Sequence, residues 1–232
     1  MTNFSENQYF ILIKKKKILF HALNSDGKDI LVKKIPINDY SNENVINLIK
    51  NFLDNNIFEI ENNLKNFIKE IYIIFESELF FDVTTSIKSS LDKTSNTLYN
   101  INDSLIEIRN QFKKYSPNDE IIHMIINKYE INNKDYQILP ENVISENLIV
   151  QINFICLKDY IIKDLKKIFS EYQISLKKIL SYNYLKGIEY DGSNVIDKAK
   201  ISIHGLHKNE VLITNKSPKN LPFFEKFFNF FS

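Results

Sequence analysis

Few side chains in this sequence are of types that do chemistry, and their neighbours decide how each is read. Cys156 is the single cysteine and stands inside the apolar run "NFICL", where burial disfavours the thiolate that a nucleophile needs, so it reads as a core thiol. His204 and His207 are three residues apart in "HGLHKN". A turn with two imidazoles and no third ligand is a poor metal site. His123 alternates with apolar positions in "EIIHMII" and reads as a strand histidine on the less buried face. Four consecutive lysines, Lys14 to Lys17, are chemically suited to phosphate or lipid headgroups, although a solvated hairpin tip is the plainer reading. Gly27, Gly187, Gly192 and Gly205 are scattered, so no glycine-rich loop cradles a phosphate. The acids are dispersed over polar helix faces. The expectation is no enzyme, no catalytic residues, no cofactor and no metal.

Composition narrows the class further. The 232 residues suffice for one or two domains with a real core. A net charge of +1 argues against a nucleic-acid partner. One cysteine excludes an internal disulfide and fits a reducing compartment. No signal peptide is recognised at the start, and no apolar run approaches the ~20 residues of a spanning helix. A cytoplasmic protein is expected.

The elements that must position these residues follow from periodicity. "YFILIKKKKILFHAL" reads as two strands around a basic turn, and "KDILVKKIPI" adds a third after "NSDGKD". From Ser41 or Asn42 a helix carries Val45, Ile46, Ile49, Phe52 and Leu53. Leu64, Phe67 and Ile68 suggest another helix up to Lys69. "EIYIIFES" and "LFFDVTTSIKSSL" read as strands. A helix capped at Asn102 or Asp103 carries Leu105, Ile106, Ile108 and Phe112 and stops at "YSPND". "EIIHMIINKYEIN" and "NLIVQINFICL" are strands. "KDYIIKDLKKIFSEYQI" is an amphipathic helix with Tyr160, Ile161, Leu165, Ile168 and Phe169 on one side, and "SLKKILSYNYLKGI" a closing strand and turn. "NVIDKAKISIHGLHKNEVLI" looks like a strand pair turning at "HGLHKN". "NKSPKNLP" has the composition of a linker.

The order and spacing from "NDEIIHMIINKYEIN" to "SYNYLKGI" resemble the bacterial cell-division protein FtsA, an actin-like ATPase fold. Ile122-His123-Met124, Tyr129 to Asn132, the loop around Pro140, and the turn at Tyr172 to Leu176 carry the resemblance. It implies a strand–helix–strand insert (subdomain 1C, SHS2-like) that contacts other division proteins. More weakly it extends over residues 9 to 217, with the N-terminal hairpin as the first strands of subdomain 1A. The family's first phosphate loop is Asp-x-Gly-Thr, where this chain has Lys14 to Lys17. Its second is Asp-x-Gly-Gly-Gly-Thr, where Asp197 is kept but Lys198, Ala199 and Lys200 follow. The second lobe, with the main groove for the FtsZ tail, is missing. Neither ATP binding nor FtsZ binding carries over directly.

The last residues, "LPFFEKFFNFFS", place Phe223, Phe224, Phe227, Phe228, Phe230 and Phe231 within an arc of roughly 160° of a helix, with Glu225, Lys226 and Asn229 opposite. A short helix of this kind folds when its apolar face is covered. The family's membrane-targeting tail has the same form, so these six phenylalanines are the expected membrane-binding residues.

The expected architecture is therefore α+β: a partial 1A-like part over 1–100, the 1C-like insert over 101–188, return strands over 189–215, a linker over 216–222 and an amphipathic helix over 223–232. The expected function is an FtsA-like scaffold tethering divisome proteins, with FtsZ among the candidates, to the inner membrane face as a peripheral protein. Self-association is a further option. The alternatives are an assembly platform of a pilus or secretion system, and an ATPase half completed by a partner chain.

Overall fold

Two sheets organise the chain. The computed structural model describes residues 7–42, 44–90, 97–140, 147–190 and 194–212. The first sheet contains β1 (Gln8–Lys14), β2 (Lys17–Leu23), β3 (Asp29–Pro36), β4 (Glu70–Phe75) and β9 (Ser175–Ser181) in the order β3-β2-β1-β4-β9. β1 pairs antiparallel with β2 and parallel with β4, and β4 pairs parallel with β9. Parallel strands are covered on both faces, which is why "FILI" in β1 and "IYIIF" in β4 are nearly continuous apolar runs.

One face of this sheet is covered by α1 (Val45–Leu64) and α3 (Asp159–Glu171). In α1, Val45, Ile49, Phe52, Leu53, Ile57 and Ile60 are buried at helical spacing. Its start is fixed by a reciprocal pair: the Ser41 N–H donates to Asn44 Oδ1, and the Asn44 N–H donates to Ser41 Oγ. The helix stops where Lys65 takes a left-handed φ of 51°. Consequently the additional helix expected through Phe67 does not form. Phe67 is exposed, while Ile68 is buried with its N–H held by Glu61 Oε1 at 2.8 Å. In α3, Ile161, Ile162, Leu165, Ile168 and Phe169 face the core, whereas Tyr160, expected beside them, is exposed.

The other face is covered by α4 (Tyr182–Gly187) and α5 (Val195–Ile203), whose Tyr182, Leu185, Ile196 and Ala199 pack with Phe10, Leu12, Ile74 and Leu180. The strand pair expected over 189–215 is thus corrected to a helix followed by irregular chain. The Asn194 side chain caps it, accepting the Asp197 N–H at 3.0 Å, and Ile196, Ala199 and Ser202 recur every three residues on its buried side. Within 204–212, only Glu210 makes a strand-like bridge, to Ile125.

The second sheet contains β5 (Phe81–Ser90), β6 (Asp119–Ile131), β7 (Lys134–Tyr136) and β8 (Asn147–Lys158), all antiparallel in the order β5-β8-β6-β7. A single helix, α2 (Thr97–Tyr115), covers one face. Its Ile101, Leu105, Ile108 and Phe112 form a separate core with Met124, Val150, Ile152 and Phe154. This helix begins at Thr97, ahead of the expected caps at Asn102 or Asp103.

The expected strand–helix–strand unit over 101–188 is divided between the sheets. β8 belongs to the second sheet, but α3 packs on the first and β9 pairs with β4 there. A strand–helix–strand order does occur one step earlier, in β5-α2-β6, and β5 falls inside the span expected to be 1A-like. The second sheet is therefore an insertion between β4 and α3. No helix among the described residues is long and apolar enough to cross a membrane.

Candidate functional site: a polar junction between the sheets

Of the residues singled out in the sequence, most are spent on local structure. Cys156 is buried in β8, and burial, with Asp119, Asp82 and Glu120 nearby, pushes its thiol up to about 12. Asp197 sits in the first turn of α5, paired with Lys200 at 2.8 Å. The Lys14–Lys17 hairpin closes through Lys15 and Lys16, with Lys14 directly opposite Lys17. None of the four has a positive φ, the conformation that lets a loop fold its backbone N–H groups around phosphate. Phe223, Phe224, Phe227, Phe228, Phe230 and Phe231 lie outside the described residues.

His123 is the exception. Its expected position on a less buried strand face is corrected, because that face of β6 is covered and the imidazole is fully buried. β6 carries irregularities in its pairing with β8 between Ile121 and His123 and between Ile126 and Lys128. Bulges of this kind re-aim a side chain, and here the ring meets the end of β9 and the last described segment.

The geometry assigns the proton on His123. The Ser181 N–H donates to His123 Nε2 at 3.1 Å. A backbone N–H can only donate, so Nε2 carries the lone pair and Nδ1 carries the hydrogen. That hydrogen is donated to Glu210 Oε1 at 2.7 Å. Burial holds the imidazole below its ordinary pKa and outweighs the pull of Glu210, which keeps it neutral.

Glu210 gathers the rest of the junction. Ser202 Oγ donates to Oε1 at 2.9 Å, and Tyr184 Oη donates to Oε2 at 3.1 Å. Lys178 Nζ stands 3.9 Å from Oε1. Burial pushes the carboxyl upward, but the hydrogen bonds of His123 and Ser202 and the charge of Lys178 win and hold it below the usual carboxylate range. The Tyr184 hydroxyl also lies 3.2 Å from His207 Nδ1. Since the carboxylate can only accept, the tyrosine proton points to Glu210 and His207 donates its own N–H to the tyrosine oxygen. Burial and the neighbouring Glu210 raise the Tyr184 pKa well above the usual phenol value.

Four strands and helices thus converge on one carboxylate, β6 through His123, β9 through Lys178, α4 through Tyr184 and α5 through Ser202, while Ser181 at the end of β9 holds the other nitrogen of the His123 ring. The segment carrying Glu210 is itself zipped to β6, with the Ile126 N–H donating to Asn209 O and the Val211 N–H to Met124 O, both at 2.8 Å. His123 has no lone pair left to take a substrate proton, so the arrangement is suited to fixing the insert on the first sheet. Beyond His207 the surface opens into a cleft of about 640 Å³ lined by Ile188, Tyr190, Ile201, Leu206 and Lys208. Sequence reasoning missed Glu210, Ser202, Tyr184 and Lys178. Their only local signal is that Glu210 is an acid placed directly before the apolar run Val211 to Ile213.

No family model matches the chain, and no curated protein matches it. Among solved structures, it is similar to the cytoplasmic domain of EpsL, an inner membrane component of the type II secretion system of Vibrio cholerae. The identity there is 8% over 80% of this chain and 59% of that one, with a TM-score of 0.36. The corresponding values for the PilM-PilN type IV pilus biogenesis complex are 9%, 78%, 49% and 0.41. For a Bacteroides thetaiotaomicron protein with an actin-like ATPase fold and unknown function they are 13%, 80%, 56% and 0.32. The chain therefore spans between 49% and 59% of the length of these solved chains.

Proposed function

We propose that the chain is a non-enzymatic scaffold of the actin-like, FtsA-like kind, holding other proteins at a membrane. The observation that carries this reading is the topology: a β3-β2-β1-β4-β9 sheet with helices on both faces, interrupted between β4 and α3 by a separately cored layer. A layer of that kind, containing strand–helix–strand order, is what the resemblance assigns to contacts between division proteins. The buried junction supports the same reading, because it gives the inserted layer a fixed orientation. The phenylalanine-rich tail supplies the membrane contact in this proposal, and divisome proteins, with FtsZ among them, are the proposed partners.

Imaging of the tagged full chain in its own cells, with and without FtsZ depletion, tests the assignment. A mid-cell band that disperses on depletion supports the division scaffold. Patches indifferent to FtsZ would instead place the protein with a pilus or secretion platform. ATP binding that appears only with a partner chain would point to a completed ATPase half.

A further inference from the structure

We infer that β5 is a self-association edge, where two copies of the chain pair antiparallel about a two-fold axis at Thr85, independently of how the chain meets a membrane. β5 (Phe81–Ser90) is the outer strand of the second sheet, and among the described residues it pairs with β8 alone. Half of the backbone N–H and C=O groups of such a strand point away from its neighbour and form a template for another strand. Recognition of one strand by another in this way draws its affinity from main-chain hydrogen bonds and its specificity from the alternating side chains.

The other sheet edges are blunted. β7 has three residues, β3 carries Lys33 and Lys34 and ends in Pro36, and the Ser181 end of β9 is tied to His123 of the insert. Short length, lysine and proline are the usual devices that keep an edge from pairing. β5 has ten residues, no proline and a single lysine, Lys88. Its two faces differ. Val83 and Ile87 are half-buried on the α2 side, packed against the second core, while Asp82, Thr84, Ser86 and Lys88 are exposed on the other.

Charge complementarity selects a second copy as the occupant, because "DVTTSIK" matches its own reverse. With Thr85 at the axis, Asp82 falls opposite the partner's Lys88, Val83 opposite the partner's Ile87, and Thr84 opposite the partner's Ser86. Opposite charges and apolar pairs at directly opposed positions stabilise a sheet, and a two-fold axis makes each contact twice. Asp82 is already held on the exposed face, with Oδ1 accepting from the Asn153 amide at 2.7 Å, and a carboxylate can accept further bonds. Lys88 pairs with no acid among the described residues. A shift by two residues in either direction sets both charges against neutral residues, so one register is favoured. The product is a continuous antiparallel sheet with both α2 helices on the face of Val83 and Ile87.

Light scattering of the full chain over a micromolar concentration series, with oxidative cross-linking beside it, tests this. The unmodified chain should dimerise. Asp82→Lys and Lys88→Asp each set like charges against one another at both ends of the strand pair, and each should weaken dimerisation by at least about tenfold. An equimolar mixture of the two variants should recover it, since one then carries lysine at both positions and its partner aspartate at both. Mixing cannot cure a folding defect, so recovery separates lost pairing from lost structure. Thr85→Cys, at the axis, should cross-link copy to copy on mild oxidation, because directly opposed residues lie within disulfide reach. Lys88→Cys, far from the axis, should not. A chain that stays monomeric, or that associates equally well in both charge variants, overturns the inference and leaves the scaffold reading standing. No recovery on mixing, or no cross-link through Thr85→Cys, overturns it as well.

Discussion

Charge is concentrated in two places in this protein, and they are built in opposite ways. At the Glu210 junction a buried carboxylate receives hydrogen bonds from His123, Ser202 and Tyr184 and faces the Lys178 ammonium. At the hairpin tip four ammonium groups stand together and none is paired with an acid among the described residues. The first arrangement is tolerable only because its bonds are made, since a buried unpaired charge costs several kcal/mol. The second is tolerable because water surrounds it. A satisfied buried charge acts on the fold that contains it, whereas an unsatisfied surface charge acts on what approaches from outside.

The sharpest way to break this contrast is Glu210→Ala. It orphans the His123 Nδ1–H, two hydroxyls and the Lys178 ammonium, and the expected loss is about 3–5 kcal/mol, read from urea denaturation. A loss under about 1 kcal/mol would show that the junction does not hold the sheets together. Next in size is a pH effect. His123 is held neutral in the fold, while an unfolded histidine takes a proton below about pH 6.5. The unfolded state then binds more protons, so stability should fall as pH drops from about 6.5 to 5, by up to ~2 kcal/mol. Glu210, whose folded pKa is depressed, adds a loss of the same sign below about pH 4.5. His123→Gln should flatten the upper part of that curve. An unchanged slope would mean that another group is responsible.

Smaller still is Ser202→Ala, which removes one of several donors and should cost about 1 kcal/mol. The least expected change is at the tip. Lys15→Gln with Lys17→Gln should alter stability by no more than ~0.5 kcal/mol, with a slight gain from relieving Lys14. A melting temperature that drops by many degrees would erase the distinction between the two regions.

How much of this was legible in the sequence varied with the range of the interaction. β2, β3, α1 and α3 are readable because their burial repeats locally, at a period of two or near four, and β1 and β4 because they are short continuous apolar runs. α5 was misread because "KISIHGL" alternates like a strand, although the Asn194 cap and the spacing of Ile196 and Ala199 were present. β9 was recognisable as a strand, but nothing nearby says that it completes the first sheet. The junction was illegible for the same reason. His123 and Glu210 are 87 residues apart, and each is ordinary in its own surroundings. For the phenylalanine tail, the structure describes none of the residues concerned.

The placement of β9 has a consequence during synthesis. β4 is finished before the inserted layer begins, yet β9, its second parallel partner, is translated only after that layer and α3 have emerged. At typical rates the interval is on the order of ten seconds, far longer than a hairpin needs to form. During that time one edge of β4, with Ile71, Ile73 and Ile74, faces the ribosome exit and its chaperones as an open template. The inserted layer, whose strands pair among themselves, can meanwhile fold, which leaves the β4 edge open to pairing with the wrong neighbour.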